Sequence, residues 1–131
     1  MHRALQALIL TYVALWAANR SQVRVAGWSM APALWPGDRL LTVPVPTPLV
    51  SRALRAGDVV VVRDPHHVGE GHHLVVKRVA TIDAAGIDVG GDDPARSTDS
   101  RTWGPLPPAS VRRRVLRRLP DWRTPLHRPG R

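Results

Sequence analysis

Nineteen basic side chains occur in this chain, and all but one are arginine; the exception is Lys77. The distinction is chemical. An arginine in a protein keeps its proton, whereas a lysine gives it up when its surroundings disfavour charge. Leu74, Val75, Val76 and Val79 flank Lys77. Burial among such side chains would lower the pKa of the amine from its ordinary ~10.4. Ser29 leaves an extended stretch at a bend bearing Gly27, which can hold a hydroxyl on an exposed corner. A serine hydroxyl is a weak nucleophile until a base comes within hydrogen-bond reach. Taken singly, these residues have plainer readings. Ser29 would be a turn serine, Lys77 a surface lysine at a strand edge, and Ser97 a loop hydroxyl. Asp99 with Arg101 would be a solvated pair worth little.

Other chemistries are narrowed by composition. There is no cysteine, which removes disulfide scaffolds, Cys-ligated zinc, iron–sulfur clusters and thiol nucleophiles. His66, His67, His72 and His73 lie close to Glu70, the one glutamate. This group offers a side reading as a nickel or zinc site. Adjacent histidines on a loop rarely converge, so a solvated loop is preferred, with no metal and no cofactor assigned. The formal charge of +9 sits largely in the tail. Residues 112–131 hold eight arginines and one aspartate. Apart from Trp122 nothing interleaves aromatic rings for base stacking, so no nucleic-acid partner is assigned.

The elements that must position these residues follow from pattern. Residues 4–18 are apolar except for Gln6 and Thr11. As a helix they would span about 22 Å at ~1.5 Å per residue, against a hydrocarbon core of ~30 Å. Gln6 and Thr11 do not share a helical face, and Arg3 and Arg20 could snorkel. A short single-pass membrane anchor is favoured over an export signal or a packed helix. Extended runs follow at 22–27, 38–43, 59–62, 74–81 and 87–90, separated by Gly, Pro and Asp turns. Residues 43–50 carry three prolines and read as a stiff connector. Residues 111–119 have apolar side chains at helical spacing, though an extended form is also compatible. The expectation is a mainly β domain over 21–119, a sandwich or barrel-like coil of sheet, behind one N-terminal helix over 1–20. A basic, disordered tail is expected over 120–131.

Five blocks, in order, carry a resemblance. They are Gly27-Trp28-Ser29-Met30-Ala31-Pro32, Gly37-Asp38, Gly57-Asp58, Lys77-Arg78, and the stretch from Gly91-Asp92 through Ser97-Thr98-Asp99-Ser100-Arg101 to Trp103-Gly104-Pro105. Together they resemble the signal peptidase I family of serine–lysine endopeptidases. The resemblance implies a coiled antiparallel, barrel-like β domain and substrates that are leader-bearing precursors with small residues before the cut. It implies Ser29 as nucleophile, Lys77 as general base and Ser97 as a hydroxyl that positions the lysine. Asp99 and Arg101 would be a bracing ion pair. Gly27 matches a position that in some members is a serine donor to the oxyanion, and Met30 and Pro32 match groove-shaping positions. The short span from Lys77 to Gly91 is similar to the proteases that mature nickel-type superoxide dismutase, and also to mitochondrial inner-membrane and other short bacterial forms. Two further readings compete. One is a non-catalytic, membrane-tethered β module with a basic interaction tail. The other is a self-cleaving repressor-type protein, which the lack of a helix–turn–helix disfavours. The oligomeric state is left open.

Overall fold

The computed structural model describes residues 2–69 and 73–120. An N-terminal helix α1 (His2–Arg20) leads into strand β1 (Gln22–Arg24). Next come β2 (Arg39–Pro44), a short helix α2 (Val50–Ala53), β3 (Val59–Arg63), β4 (Leu74–Asp83) and β5 (Gly86–Gly90). A one-turn helix α3 (Ser100–Trp103) precedes the last strand, β6 (Val111–Arg118).

The six strands form one antiparallel sheet in the order β1-β2-β6-β3-β4-β5. This corrects the expected barrel-like coil. A barrel requires its two outer strands to pair, as closure is what abolishes edges. Here β1 pairs with β2 alone, and the outer side of β5 carries a single bridge from Ile87 to Leu106. The sheet is open, and both of its faces are covered by packed chain instead of by more sheet.

The valine run of β3 explains that packing. Successive side chains of a strand point to opposite faces. Val60 and Val62 join a core with Val50, Leu54, Val79, Ile87 and Leu106, while Val61 joins another with Val25, Met30, Leu34 and Leu40. Strand β6, whose spacing was also compatible with a helix, lies between β2 and β3. Register shifts at Leu41/Thr42 and Val61/Val62 interrupt both of its pairings. Each extra residue breaks the period of two, which is why its apolar positions mimic helical spacing.

Helix α1 is 19 residues long without Gly or Pro and exposes Leu5, Leu8, Leu10, Tyr12, Leu15 and Trp16. Thr11 hides its hydroxyl on the Ala7 carbonyl at 2.8 Å, and Arg20 lies over the Trp16 ring at 4.5 Å. No helix among the described residues is long and apolar enough to cross a membrane. The apolar stretch is flanked closely by Arg3 and Arg20 and interrupted by Gln6, so the single-pass anchor expected of residues 4–18 lacks a spanning helix. The tail expected over 120–131 lies outside the described residues beyond Pro120.

Candidate active site

Ser29 rides on an excursion between β1 and β2. The excursion is closed at its base, where Val25 N–H donates to the Asp38 carbonyl at 2.8 Å and Gly37 N–H to the Val25 carbonyl at 2.7 Å. Its tip is anchored by Met30, 1% exposed in the core beside Leu34 and Val76. A buried side chain next in sequence to a partly buried serine fixes where that serine's backbone can be. Asp93 N–H adds a bond to the Ser29 carbonyl at 2.8 Å.

Lys77 arrives on β4, paired opposite Val60, and is 4% exposed. Its Nζ bonds Ser97 Oγ at 3.0 Å, and that hydroxyl donates to Asp99 Oδ2 at 2.6 Å. Asp99 is 1% exposed and well supplied with donors. It accepts from Gly91 N–H at 2.9 Å and Arg101 Nε at 2.8 Å, and from the Arg101 N–H and Nη2. A carboxylate so buried needs such partners, because an unpaired buried charge is costly. The arginine holds Asp99 far below the usual carboxylate range, against the opposing effect of burial; the Ser97 hydroxyl and the Gly91 and Arg101 backbone N–H groups add to the lowering. Burial likewise pushes the Lys77 ammonium below its ordinary range. The carboxylates of Asp99 and Asp64 pull the other way, and Arg101 adds to the lowering.

Gly91 joins the two halves. A side chain there would meet the Ser97 hydroxyl, come within 2.5 Å of Ser97 Cβ, and lie 2.7 Å from the Ser29 carbonyl oxygen. Only glycine lets the serine loop and the lysine's hydroxyl partner approach this closely. Ser29 and Lys77 line one cleft of about 250 Å³, walled by residues 23–27 on one side and 73–77 on the other. No hydrogen bond joins Ser29 Oγ to Lys77 Nζ; the amine is turned to Ser97. Gly27 and Met30 also line this cleft, whereas Pro32 lines a separate hollow.

A protein-family model described as signal peptidase, peptidase S26, matches residues 1–89 of the 131. The chain belongs to the signal peptidase S26 family. Neither the curated proteins nor the solved structures gave a match. The family span contains Ser29 and Lys77 and ends just before Gly91. The Ser97–Asp99–Arg101 network of this S26 member is therefore tied to the matched region by contact: Ser97 to Lys77, and Asp93 to Ser29.

Some participants were not singled out from sequence. Asp64 acts on Lys77 through space from the end of β3, and nothing in the order of residues signals that proximity. Gly91 was legible as a motif glycine but not as a spacer. His73 lines the cleft, its ring stacked on His67 with centroids 4.7 Å apart. Among the described residues no group of three or more could hold a metal ion; Glu70 and His72 lie outside them.

Proposed function

We propose that the protein is a serine endopeptidase that removes N-terminal leader or signal peptides through Ser29 and Lys77. The reading rests above all on Lys77: a lysine almost out of solvent, its amine on a serine hydroxyl, in the same cleft as Ser29. Ser29 Oγ attacks the scissile carbonyl carbon while Lys77 Nζ takes the hydroxyl proton. Collapse of the tetrahedral adduct breaks the C–N bond, and Lys77 returns the proton to the leaving amine. Water then attacks the ester with Lys77 again as base, and Ser29 is restored. The Ser29 N–H has no backbone acceptor among the described residues, which suits it to the oxyanion.

Ser97 positions the amine, and Asp99 with Arg101 positions Ser97. In unliganded sites the catalytic hydrogen bond is often long or poorly aligned, and the proposed mechanism requires the amine to turn from Ser97 toward Ser29. The sheet also supports an extended substrate. Pairing of β4 with β5 begins at Arg78, so residues 74–77 pair on one side alone, and β1 is an edge. A leader can lie between these two free edges as an added strand. A cleft of about 250 Å³ falls below the ~300–1,000 Å³ of most ligand sites, which agrees with small residues before the cut.

The precursor of nickel-type superoxide dismutase is carried as one substrate on the short Lys77–Gly91 span alone. The exposed apolar surface of α1 supports association with a membrane through residues 4–18, which vesicle flotation measures. The absence of a Ser29–Lys77 hydrogen bond favours the alternative of a non-catalytic β module. Incubation of the protein and its Ser29→Ala form with a panel of leader-bearing precursors decides, with mass spectrometry reading the new N-terminus. Cleavage by the first and not the second is expected; equal results from both would leave the non-catalytic module.

A further inference from the structure

A second hollow flanks the Ser29 loop and shares no lining residue with the cleft. Trp28, Pro32 and Trp35, with Asp92, Asp93 and Arg96, line an open groove of about 730 Å³. The two indoles meet edge to face at 5.5 Å and 89°. Trp28 is 44% exposed, with the Arg96 guanidinium 5.1 Å from its ring centre. Trp35 is partly buried behind it, so the pair presents one exposed indole backed by a second, an apolar surface of the kind that marks a binding site more than a core.

The groove carries little uncompensated charge. Asp92 is held by Arg78 at 2.8 Å, and Asp93 pairs with Arg96 at 3.6 Å. What it offers is aromatic surface. It is also fastened to the reacting serine: Trp28 precedes Ser29 in the chain, and Asp93 N–H holds the Ser29 carbonyl at 2.8 Å. A peptide whose carbonyl sits at Ser29 has two arms. The narrow cleft between β1 and β4 takes one. The other must leave past Ser29, and the Trp28–Trp35 groove adjoins that residue.

We propose that this groove binds the segment of substrate downstream of the cut and selects a large apolar or aromatic side chain within its first residues. The assignment rests on the peptidase reading above. It makes Trp28 and Trp35 specificity-determining residues on the leaving-peptide side, with Arg96 bracing Trp28 by stacking.

The test uses peptides with one constant leader that differ in the second residue after the cut, Leu or Phe against Gly or Asp. The wild-type protein should cleave the Leu and Phe forms with roughly tenfold higher kcat/KM, the scale of apolar-pocket discrimination. Trp28→Ala and Trp35→Ala should collapse that ratio toward one, while Leu116→Ala on β6 should keep it. Independently of turnover, a peptide containing only the downstream segment with Leu should shift the indole N–H resonances of Trp28 and Trp35 in the Ser29→Ala protein. Cleavage with no preference, or a preference unchanged in both tryptophan variants, overturns the groove while leaving the peptidase intact. Indoles that respond to lipid vesicles and not to the peptide also overturn it. A wild-type protein that cuts none of the peptides, with Ser29→Ala equally inert, overturns the parent reading instead.

Discussion

Lys77 and Arg78 are neighbours on β4, and their charges meet opposite surroundings. Lys77 is almost fully buried, with a serine hydroxyl on its amine. Arg78 is partly exposed and grips Asp92 with two bonds of 2.9 and 2.8 Å while donating to the Gly57 carbonyl at 2.8 Å. The bonds to Asp92 push the arginine further above its ordinary range. The nearest carboxylate network to Lys77, by contrast, reaches it through Ser97, and Arg101 already engages that carboxylate. One position is arranged so that a proton can leave, the other so that it stays. A residue type that never deprotonates suits the second position and could not act as the base that the proposed mechanism places at the first.

Exchanging the two chemistries should break the comparison most severely. Lys77→Arg should lower kcat/KM by about 10⁴-fold or more, the scale on which loss of a catalytic base is felt. Arg78→Lys keeps a charge near Asp92 and should leave turnover within about tenfold. Both are read by steady-state cleavage, with circular dichroism to confirm folding. Gly91→Ala comes next. A methyl there would strike both Ser97 and the Ser29 carbonyl oxygen, and a backbone oxygen cannot rotate away. Displacement by about 1 Å can cost ~10²-fold in rate. Val68→Ala is the control, since Val68 is 95% exposed and lines neither the cleft nor the tryptophan hollow; an effect near twofold is expected, as for other surface changes.

The same contrast shows what could be read from the chain alone. Lys77 taken singly reads as a surface lysine at a strand edge, and only the linked motifs with the valine-rich stretch point to a buried amine; the structure places Lys77 at 4% exposure. Asp99 with Arg101 was legible as a pair because the two residues are near in sequence and sit in a motif. The open sheet was not legible. Short strands separated by turns describe a barrel and an open sheet equally well, and the difference lies in whether β1 meets β5. The placement of β6 was hidden for a similar reason, since its register shifts answer to partner strands far away in sequence. Pro32 was expected in one groove with Met30. The loop turns between them, so one is buried in the core beside the cleft and the other lines the tryptophan hollow.

A finer test concerns the pH dependence of the lysine. Activity should rise with pH as Lys77 loses its proton, with the rise centred below the ordinary lysine range because burial lowers the pKa. Asp99 opposes that lowering. Asp99→Asn removes the negative charge and leaves the positive Arg101 in place, so both effects now favour the neutral amine. The rising limb of kcat/KM should therefore move to lower pH, even as the maximum falls through loss of the Ser97 and Gly91 bonds. A limb that stayed put or moved upward would contradict this electrostatic account.

The smallest effect is expected at the other carboxylate. The Asp92 and Arg78 side chains are 21% and 37% exposed, so Asp92→Asn should cost no more than about 1 kcal/mol, as for partly solvated pairs. Acid unfolding sharpens the difference. Asp99 has a folded-state pKa depressed below its unfolded value of ~3.9, so its contribution is present above that value and is lost as pH falls through the folded one. Asn at position 99 does not titrate. Asp99→Asn should therefore lower stability by about 1–3 kcal/mol near neutral pH, where buried donors lose a charged acceptor, and narrow its deficit against wild type in acid. Urea midpoints measured from pH 7 down to about pH 1.5 should show the two curves drawing together for Asp99→Asn once the pH falls below about 4, the unfolded carboxylate value. For Asp92→Asn they should lie close together throughout, because water can replace the missing charge at that partly exposed position.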